Sequence, residues 1–527
     1  MPLRPEHKRL VLPRNGINLY ISLEDLLPGD AVLMQNCYYR RGVQMKLGSN
    51  KHSNDEVTAS KAIVGLHRFY YGASSKQLIA AAGTNVAYMN DSTGAWTNIR
   101  TVQTDNLQTF FTTWSAINKM YVCNGTDQPF TWDGTTASDV AALPVTTKMV
   151  LPYRSYLAFI DGTNPSYLSL FDTAYSDSGS VNQFRIVGGG PIQVIAAHAL
   201  AGPQEGIVTY IFVATASTIT LFSGTVFSGG SLNARLDPIS DRVGCISAKT
   251  VKTTTKGTIF LGSDRQVYIL PFGSSQVVPI GHKIRNPNVG TDGIEDIPLA
   301  QLSKACAIYH DGFYKLSVAG SGATTNNRQW WLDVDRLSQD EHGLWGPWYG
   351  PMIGMAISEF AIQDGSGDDG KLLGGNSGAT GYVYRHNEAA TYADDGTAIS
   401  MYFQTANEIY SNDPSIDTQV TKTEVECTNS ANTFNLSFFD TIGQMSTTSA
   451  IAATQSLLYW GVGTWGDGSY WNDVGVPNRI LKEHFDKYFV GRQISTAIDY
   501  SSSTDALQVF SITHEHVPIE QSFQVRA

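Results

Sequence analysis

Residues 62–99 read AIVGLHRFYY-GASSK-QLIAAA-GTN-VAYM-NDSTG-AWTNI, and this stretch decides the fold. It contains four apolar runs, rich in β-branched and aromatic residues, separated by short segments of Gly, Asn, Asp and Ser. Such runs predict strands, and such segments predict tight turns between them. Four antiparallel strands joined in this way are the blade of a β-propeller. We therefore predict one blade over these residues.

The same pattern returns along the following chain. Further units begin near residues 108, 149, 192, 245 and 304, and another fits residues 355–384. The repetition predicts a β-propeller over residues 57–398. Six or seven blades fit the pattern, and five blades are also compatible with it. Propellers close by pairing strands from the two ends of the repeat, so we expect such a pairing here.

The chain before the propeller, residues 1–56, lacks the repeated pattern of strands and turns and is predicted to be an interface segment. Leu23 follows a Ser that can cap a short helix, and Asp30 can cap a second helix over Ala31–Tyr38. The alternation in Val43–Leu47 predicts a strand after these helices.

The chain after the propeller, residues 399–527, is predicted to be a β-sandwich-like module, because it contains further alternating runs. Residues 459–471 form a loop rich in Gly and aromatic residues within it. The predicted fold class is therefore all-β: a β-propeller of six or seven blades, a short N-terminal helical segment and a C-terminal β-sandwich-like module.

Composition narrows the function classes. The chain has 527 residues, of which 42% are hydrophobic and 16% charged, with a formal net charge of −11. This content excludes a disordered chain. The negative charge argues against a protein that grips nucleic acid by its phosphates, although it is compatible with a pore through which DNA slides. A polar but weakly charged surface is typical of large β assemblies, and a secreted lectin would look similar.

The sequence predicts no metal site, cofactor or disulfide. The five cysteines are widely spaced and form no Cys-x-x-Cys pair, which favours small buried side chains. Asp364–Gly370 resembles the start of a calcium loop, but Ser366 occupies the third position and no Glu follows at the required distance. His514 and His516 fall on one face of a predicted strand, without a third ligand. We also expect no signal peptide or membrane anchor, because the first residues are polar and no apolar run approaches 18 residues.

Propeller enzymes such as sialidases are the catalytic alternative. Their repeated Ser-x-Asp-x-Gly-x-x-Trp box is absent, and residues 466–471 resemble it only loosely. A glycosidase needs two carboxylates across the scissile bond. Most Asp residues here stand in turn contexts such as Asp133-Gly134 and Asp395-Gly396, which turn chemistry explains. We expect no enzyme, and a carbohydrate-binding or glycan-cleaving propeller stays open as the alternative.

The opening of the chain resembles that of the head-to-tail connector, packaged-DNA stabilisation and tail nozzle or hub proteins of short-tailed bacteriophages. The shared elements are a Gly-x-Asn-Leu run, a Leu-x-x-Gly-x-Ala run, an Asn and a basic Arg-x-Gly turn. They correspond here to Gly16–Leu19, Leu26–Ala31, Asn36 and Arg40–Gly42. A second Arg-x-Gly of the pattern is replaced by Lys46-Leu47-Gly48. Only the first 50 residues carry specific likeness.

The resemblance implies a structural virion protein of a phage tail, assembled in the host cytoplasm. Such a protein forms a ring, a hexamer in that family, which continues the DNA exit channel below the portal or adaptor ring. The implied partners are copies of the chain, the portal or adaptor ring, and tail fibre, spike or needle proteins. Double-stranded DNA would pass without sequence-specific binding.

Two sets of side chains are predicted interface residues. The short N-terminal helices cannot bury their apolar residues alone, and basic residues beside them are able to pair with acidic residues of a neighbour. The aromatic loop of the C-terminal module would form an aggregation-prone surface without a partner. The predicted interface residues are Val32, Leu33, Tyr38, Tyr39, Arg40, Arg41, Lys46, Trp460, Trp465, Tyr470 and Trp471. For the loop, packing within its own module is an equally weighted alternative.

Overall fold

The fold is almost entirely β in a computed structural model of the chain. The model describes residues 5–72, 75–188, 190–199, 209–225, 233–286, 293–363, 370–410, 417–428, 430, 432–439, 449–452, 457–458, 470–471, 479–484 and 489–519. The chain divides into two compact units. The sandwich unit comprises residues 1–49, 346–354 and 389–527, and the propeller unit comprises residues 50–345 and 355–388.

Five short strands precede the propeller. They are β1 (Glu6–Arg9), β2 (Ala31–Gln35), β3 (Cys37–Tyr39), β4 (Val43–Met45) and β5 (Ser49–Lys51).

The propeller unit is a series of antiparallel meanders, which confirms the predicted β-propeller. Blade 1 contains β6 (Ile63–Tyr71), β7 (Ser75–Ala82), β8 (Asn85–Met89) and β9 (Trp96–Arg100). Blade 2 contains β10 (Phe110–Trp114), β11 (Lys119–Cys123), β12 (Phe130–Trp132) and β13 (Ala137–Asp139). Blade 3 contains β14 (Val150–Tyr153), β15 (Tyr156–Ile160), β16 (Tyr167–Phe171) and β17 (Val181–Arg185).

The next blades continue the series. Blade 4 contains β18 (Val194–Ala199), β19 (Thr209–Ala214), β20 (Ile219–Thr225) and β21 (Asn233–Ser240). Blade 5 contains β22 (Lys252–Thr253), β23 (Gly257–Leu261), β24 (Val267–Pro271) and β25 (Val278–Pro279). Blade 6 contributes β26 (Cys306–His310), β27 (Phe313–Ala319) and β28 (Asn326–Asp333). The short strands β29 (Ser338–Gln339), β30 (Trp345–Gly346) and β31 (Trp348–Met352) follow. Blade 7 contains β32 (Ile357–Gln363), β33 (Lys371–Asn376) and β34 (Val383–His386).

Helical structure in the described residues is limited to single turns. The 3₁₀ turns are Ser115–Ile117, Ala248–Thr250, His282–Ile284 and Ile294–Asp296, and the α-helix α1 spans Leu299–Leu302. No helix in these ranges is long and apolar enough to cross a membrane.

The core of the propeller lies between its blades. Buried clusters join blades 1 and 2, 2 and 3, 3 and 4, 4 and 5, and 6 and 7. Blades 5 and 6 are joined by the Tyr314 hydroxyl, which donates to the Thr250 carbonyl at 2.8 Å. A further cluster packs Ile63 and Leu66 of blade 1 against Leu373 and Val383 of blade 7, which closes the ring at seven blades.

The fourth strand of blade 7 comes from the chain before blade 1. Asn50 and Lys51 of β5 lie beside β34, and the His52 amide donates to the Val383 carbonyl at 2.8 Å. The Lys51 ammonium lies 4.0 Å from the centre of the Tyr382 ring. The propeller therefore begins at residue 50 and not at residue 57, and its last blade needs no further strand between residues 389 and 398.

The remaining strands belong to the sandwich unit. They are β35 (Ala393–Asp394), β36 (Thr397–Thr405), β37 (Glu408–Ile409), β38 (Asp417–Thr428), β39 (Thr433–Phe439), β40 (Ser449–Ala452), β41 (Leu457–Leu458), β42 (Tyr470–Trp471), β43 (Arg479–His484), β44 (Phe489–Gly491), β45 (Gln493–Ser502) and β46 (Gln508–Ile519).

Two antiparallel sheets face each other in this unit, as expected for a sandwich. One sheet has the order β3-β4-β46-β38-β43, with β1 also paired to β46 and β44 to β38. The other contains β36-β45-β39-β40, with β2 paired to β36. The inner faces meet where the Thr496 hydroxyl lies 3.2 Å from His514 Nε2 and the Phe438 ring packs edge-on against the same imidazole.

The predicted N-terminal helices are wrong, because the chain at Leu23 forms a turn and the residues from Ala31 to Tyr39 form strands. Ala31–Gln35 pairs with β36, and Cys37–Tyr39 pairs with β4. Asn36 has a φ of 53° and interrupts the extended backbone between the two strands. Apolar residues in such a short run fit a period of two as well as a period of 3.6, and pairing with distant strands decides between them.

The predicted three-part division is corrected as well. Residues 1–49 do not form a separate segment, because β1 and β4 pair with β46 and β2 pairs with β36. The predicted N-terminal and C-terminal domains therefore fold together as one unit. All five cysteines are buried thiols, as their spacing predicted.

Candidate functional site

The opening phrase, residues 16–42, carries the phage-like pattern and builds the centre of the sandwich unit. Its first residue is Gly16. Its φ is 76°, and a Cβ atom there would lie 1.9 Å from the Trp348 carbonyl oxygen. The Ile17 amide donates to that oxygen at 2.8 Å, and Trp348 is fully buried. Only glycine lets the two backbones approach this closely.

Asn18 and Asp30 form the next contact of the phrase. Both side chains are buried, and Asn18 Nδ2 donates to an Asp30 carboxylate oxygen at 3.0 Å. The Ala31 amide donates to the Gly16 carbonyl at 2.8 Å, so the Gly-x-Asn and Gly-x-Ala elements lie side by side. A buried carboxylate requires such donors, because an unsatisfied one is costly.

Asn36 connects three separate parts of the sandwich unit. Its side-chain nitrogen donates to the Ser400 carbonyl at 2.8 Å, and its side-chain oxygen accepts from the Ile353 amide at 2.7 Å. Its backbone carbonyl accepts from the Lys46 amide at 2.8 Å. The left-handed conformation of Asn36 is one that Asn tolerates better than most residues. The asparagine of the phage-like pattern is therefore a buried structural node here.

Lys46, predicted as an interface cation, is buried and pairs with Asp394 in the same unit. Burial lowers the pKa of the Lys46 ammonium, whereas the Asp394 carboxylate opposes that shift. Removing one partner of such a pair leaves an uncompensated charge, which typically costs about 3–5 kcal/mol. Lys46 is thus corrected from a partner-facing residue to an internal one.

The remaining predicted N-terminal interface residues differ in exposure. Leu33 is 46% exposed, Arg40 and Arg41 are exposed in the turn between β3 and β4, and Val32 and Tyr39 are partly buried. Tyr38 is buried within the chain, which corrects its predicted role.

Sequence analysis missed two exposed apolar residues in the same segment, Tyr20 at 45% and Leu23 at 46%. Leu23 was noticed as an apolar residue in the sequence, but it was assigned to a short helix and not to an exposed surface.

The predicted aromatic loop falls largely outside the described residues. Trp460 and Trp465 lie there, so their role stays a prediction. Tyr470 and Trp471 form β42, which pairs in parallel with Leu457 and Leu458 of β41.

A charged cluster in the central channel of the propeller was also missed. Lys249 pairs with Glu359, and the Lys249 ammonium donates to the Val64 carbonyl at 2.8 Å. These residues connect blade 7 with the turn leading into blade 5 and with blade 1. The available signal was Glu359 itself, a carboxylate inside the mostly apolar run Ile357–Ile362.

His67 lies in the same channel. One ring nitrogen is 2.7 Å from the Thr113 hydroxyl. Burial and the nearby Lys252 ammonium lower the pKa of His67 to about 4, so the imidazole is neutral near pH 7. The cavity left in this part of the channel is about 200 Å³. The arrangement links blades through ionic and hydrogen-bonding contacts and fills the axis with side chains.

His514 and His516 lie on one face of β46, as predicted. Both are buried, and both rings contact Tyr410, at 5.8 and 5.0 Å between centroids. Burial, His516 and Lys8 lower the pKa of His514 to about 3. Within the described ranges, no three His, Cys, Asp or Glu side chains are grouped so that they could hold a metal ion.

Comparisons with known proteins find similarity only among solved structures. No protein-family model matches the chain, and no curated protein matches it. The crystal structure of the N-terminal domain of Nup159 is similar at 10% identity, covering 65% of this chain and 94% of that one, with a TM-score of 0.38. The crystal structure of BBS1N in complex with ARL6DN is similar at 10% identity, covering 66% and 98%, with a TM-score of 0.40. The propeller assignment rests on the strand pairing and blade packing described above.

Proposed function

We propose that this chain is a structural virion protein of a short-tailed phage, a subunit of a ring that continues the DNA exit channel below the portal or adaptor. The proposal rests on where the residues of the opening phrase lie in the structure. Gly16, Asn18, Ala31 and Asn36, which carry the resemblance to phage tail proteins, are all buried and make close internal contacts. These contacts support the proposal, because a fold shared with those proteins would require these residue types at the same places.

The filled propeller channel supports a particular arrangement of the ring. The Lys249–Glu359 pair and His67 occupy the axis, and the cavity of about 200 Å³ beside them is far smaller than a double helix needs. DNA therefore passes through a channel enclosed by several copies of the chain, not through one propeller. The net charge of −11 suits a wall that does not hold the phosphates.

The exposed N-terminal residues are the proposed contact with a neighbouring copy or with the portal or adaptor ring. Leu33 lies on β2 and is 46% exposed, and Arg40 and Arg41 are exposed in the turn between β3 and β4. An exposed apolar residue and two exposed cations in one segment fit a partner surface that carries apolar and acidic residues. Fibre, spike or needle proteins would attach elsewhere on the ring, and the aromatic loop is the proposed place.

The test is the assembly state of the purified full-length protein and its location in the particle. We expect a closed ring by electron microscopy and light scattering, and labelling of the tail of intact particles. Leu33→Asp should abolish the ring while leaving the melting temperature unchanged. The matched control is Val181→Asp, at a similarly exposed strand position of blade 3, which should still form rings. A monomer that hydrolyses glycans would overturn the proposal.

The alternative, a carbohydrate-binding or glycan-cleaving propeller, gains support only in its binding form. Among the described residues that line four cavities of the propeller unit, Glu359 is the single carboxylate, and it is paired with Lys249. Glycoside hydrolysis commonly uses two carboxylates. One of these cavities does have features of a sugar site.

A further inference from the structure

A cavity of about 360 Å³ lies between blades 2, 3 and 4, at the end of the propeller where their first strands begin. Gln108 and Phe110 from blade 2, Thr146 and Lys148 before β14, and Gln193 before β18 line it. Its volume is at the lower end of the range for ligand pockets. It is large enough for one sugar ring.

Lys148 is the unusual member of this lining. Its ammonium donates to the Gln193 side-chain oxygen at 3.3 Å, and no carboxylate of the described residues lies within ion-pair distance. Burial lowers the pKa of Lys148. By contrast, the buried Lys249 and Lys283 of the same unit are paired with Glu359 and Asp340. A largely buried cation without a counter-charge is unfavourable, and an anion in the cavity would relieve that cost.

The rest of the lining favours a sugar over a simple anion. The Phe110 ring is partly exposed and supplies apolar surface to this cavity, and the Lys249 ammonium lies 5.7 Å from the ring centre. Gln108 and Gln193 provide amide groups on either side of the cavity, and amides bind sugar hydroxyls through both donor and acceptor atoms. An aromatic face with amides around it matches the apolar ring face and polar edges of a monosaccharide.

We propose that this cavity binds a sugar residue that carries a carboxylate, as a uronic acid does. The carboxylate pairs with Lys148, the ring packs on Phe110, and Gln108 and Gln193 bind hydroxyls. The site is independent of ring assembly, so its test and the test of the virion role can fail separately. The residue would come either as a free sugar or as the end of an acidic polysaccharide.

The experiment titrates the full-length protein with glucuronate, glucose and acetate, using calorimetry and saturation-transfer NMR. Glucuronate should bind at least about tenfold more tightly than glucose, because glucose lacks the carboxylate that makes the charged hydrogen bond to Lys148. It should also bind more tightly than acetate. Equal affinities for glucuronate and glucose, or for glucuronate and acetate, would overturn the proposal, the latter leaving a simple anion site.

Substitutions in the lining test whether the sugar binds in this cavity. Lys148→Met should weaken glucuronate binding by about tenfold and leave weak glucose binding unchanged. The matched control Lys304→Met, at an exposed lysine lining a neighbouring cavity, should bind as the natural chain does. If Lys148→Met misfolds, Gln193→Leu should also weaken binding of both sugars, and unchanged affinity in that variant contradicts the site. Tighter binding of tetragalacturonate than of galacturonate would indicate a polysaccharide end, whereas equal affinities would indicate a single residue.

Discussion

At the scale of single residues, glycine identity matters most where two backbones meet. Gly16→Ala places a methyl group 1.9 Å from the Trp348 carbonyl oxygen, so the backbone must move. We expect this variant to lose at least about 2 kcal/mol more stability than Gly72→Ala. Gly72 has a similar φ of 71° but open space around its Cβ position, so it isolates the cost of the conformation.

Urea unfolding of the two glycine variants measures the difference. Equal losses would mean that the Gly16 contact is less close than described.

A second residue-scale prediction concerns acid sensitivity. The pKa of His67 is about 4 in the folded chain and near 6.5 when unfolded. The unfolded chain therefore binds more protons between these values, so the contribution of His67 to stability is present above pH 6.5 and lost as the pH falls to about 4. His198 and His514 have pKa values lowered in the same direction.

We expect His67→Gln to reduce the loss of stability between pH 7 and pH 4.5 by about 2 kcal/mol. Unfolding free energies at the two pH values check this. His342→Gln, at an exposed position, should keep the full loss. An unchanged slope in His67→Gln would show that other groups cause the acid sensitivity.

At the scale of elements, the strand that closes blade 7 is short but critical. The His52 amide donates to the Val383 carbonyl, and proline at position 52 would remove that donor. We expect His52→Pro to destabilise the propeller by about 3 kcal/mol. Lys51→Ala removes the contact of the ammonium with the Tyr382 ring, which is worth about 0.5–1 kcal/mol, and leaves the backbone pairing of the strand in place.

Differential scanning calorimetry of these two variants ranks the effects. A His52→Pro chain that melts like the natural one would mean that blade 7 holds without its fourth strand.

Elements were predicted correctly where each strand pairs with a strand close to it in sequence, and were missed where the partner is distant. The blades were predicted from sequence, because each meander pairs neighbouring runs through turns such as Gly83–Asn85. The segment Ala31–Tyr38 was assigned to a helix, because β36, the strand that pairs with β2, lies hundreds of residues away. Burial of Lys46 was missed for the same reason, since Asp394 is its partner.

The candidate sites were less predictable than the elements. Lys249, Glu359 and His67 come together only when blades from different parts of the chain form a ring. Lys148 stands out only because its surroundings lack a carboxylate, which no local pattern reveals. The phage-like phrase was visible in the sequence, but the internal role of Asn36 required the structure.

At the scale of the whole molecule, the first 52 residues serve both units. Deleting residues 1–49 removes β1 to β4 from the sandwich unit but keeps Asn50 to His52 for blade 7. We expect this chain to lose the melting transition of the sandwich unit and to keep that of the propeller. Deleting residues 1–52 should lower the propeller transition as well.

Calorimetry and limited proteolysis of the two truncated chains give the comparison. Identical propeller transitions in both would contradict the role of residues 50–52.

Because residues 50–52 complete blade 7, the propeller can close only after most of the chain has been translated. His52 leaves the exit tunnel early, but its partner Val383 is translated on the order of half a minute later at ordinary elongation rates. β1 and β4 wait longer still for β46, near the end of the chain. The nascent chain therefore carries unpaired N-terminal strands until β46 is made, and an open propeller until blade 7 is made, so a truncated translation product exposes strand edges that invite chaperone binding or aggregation.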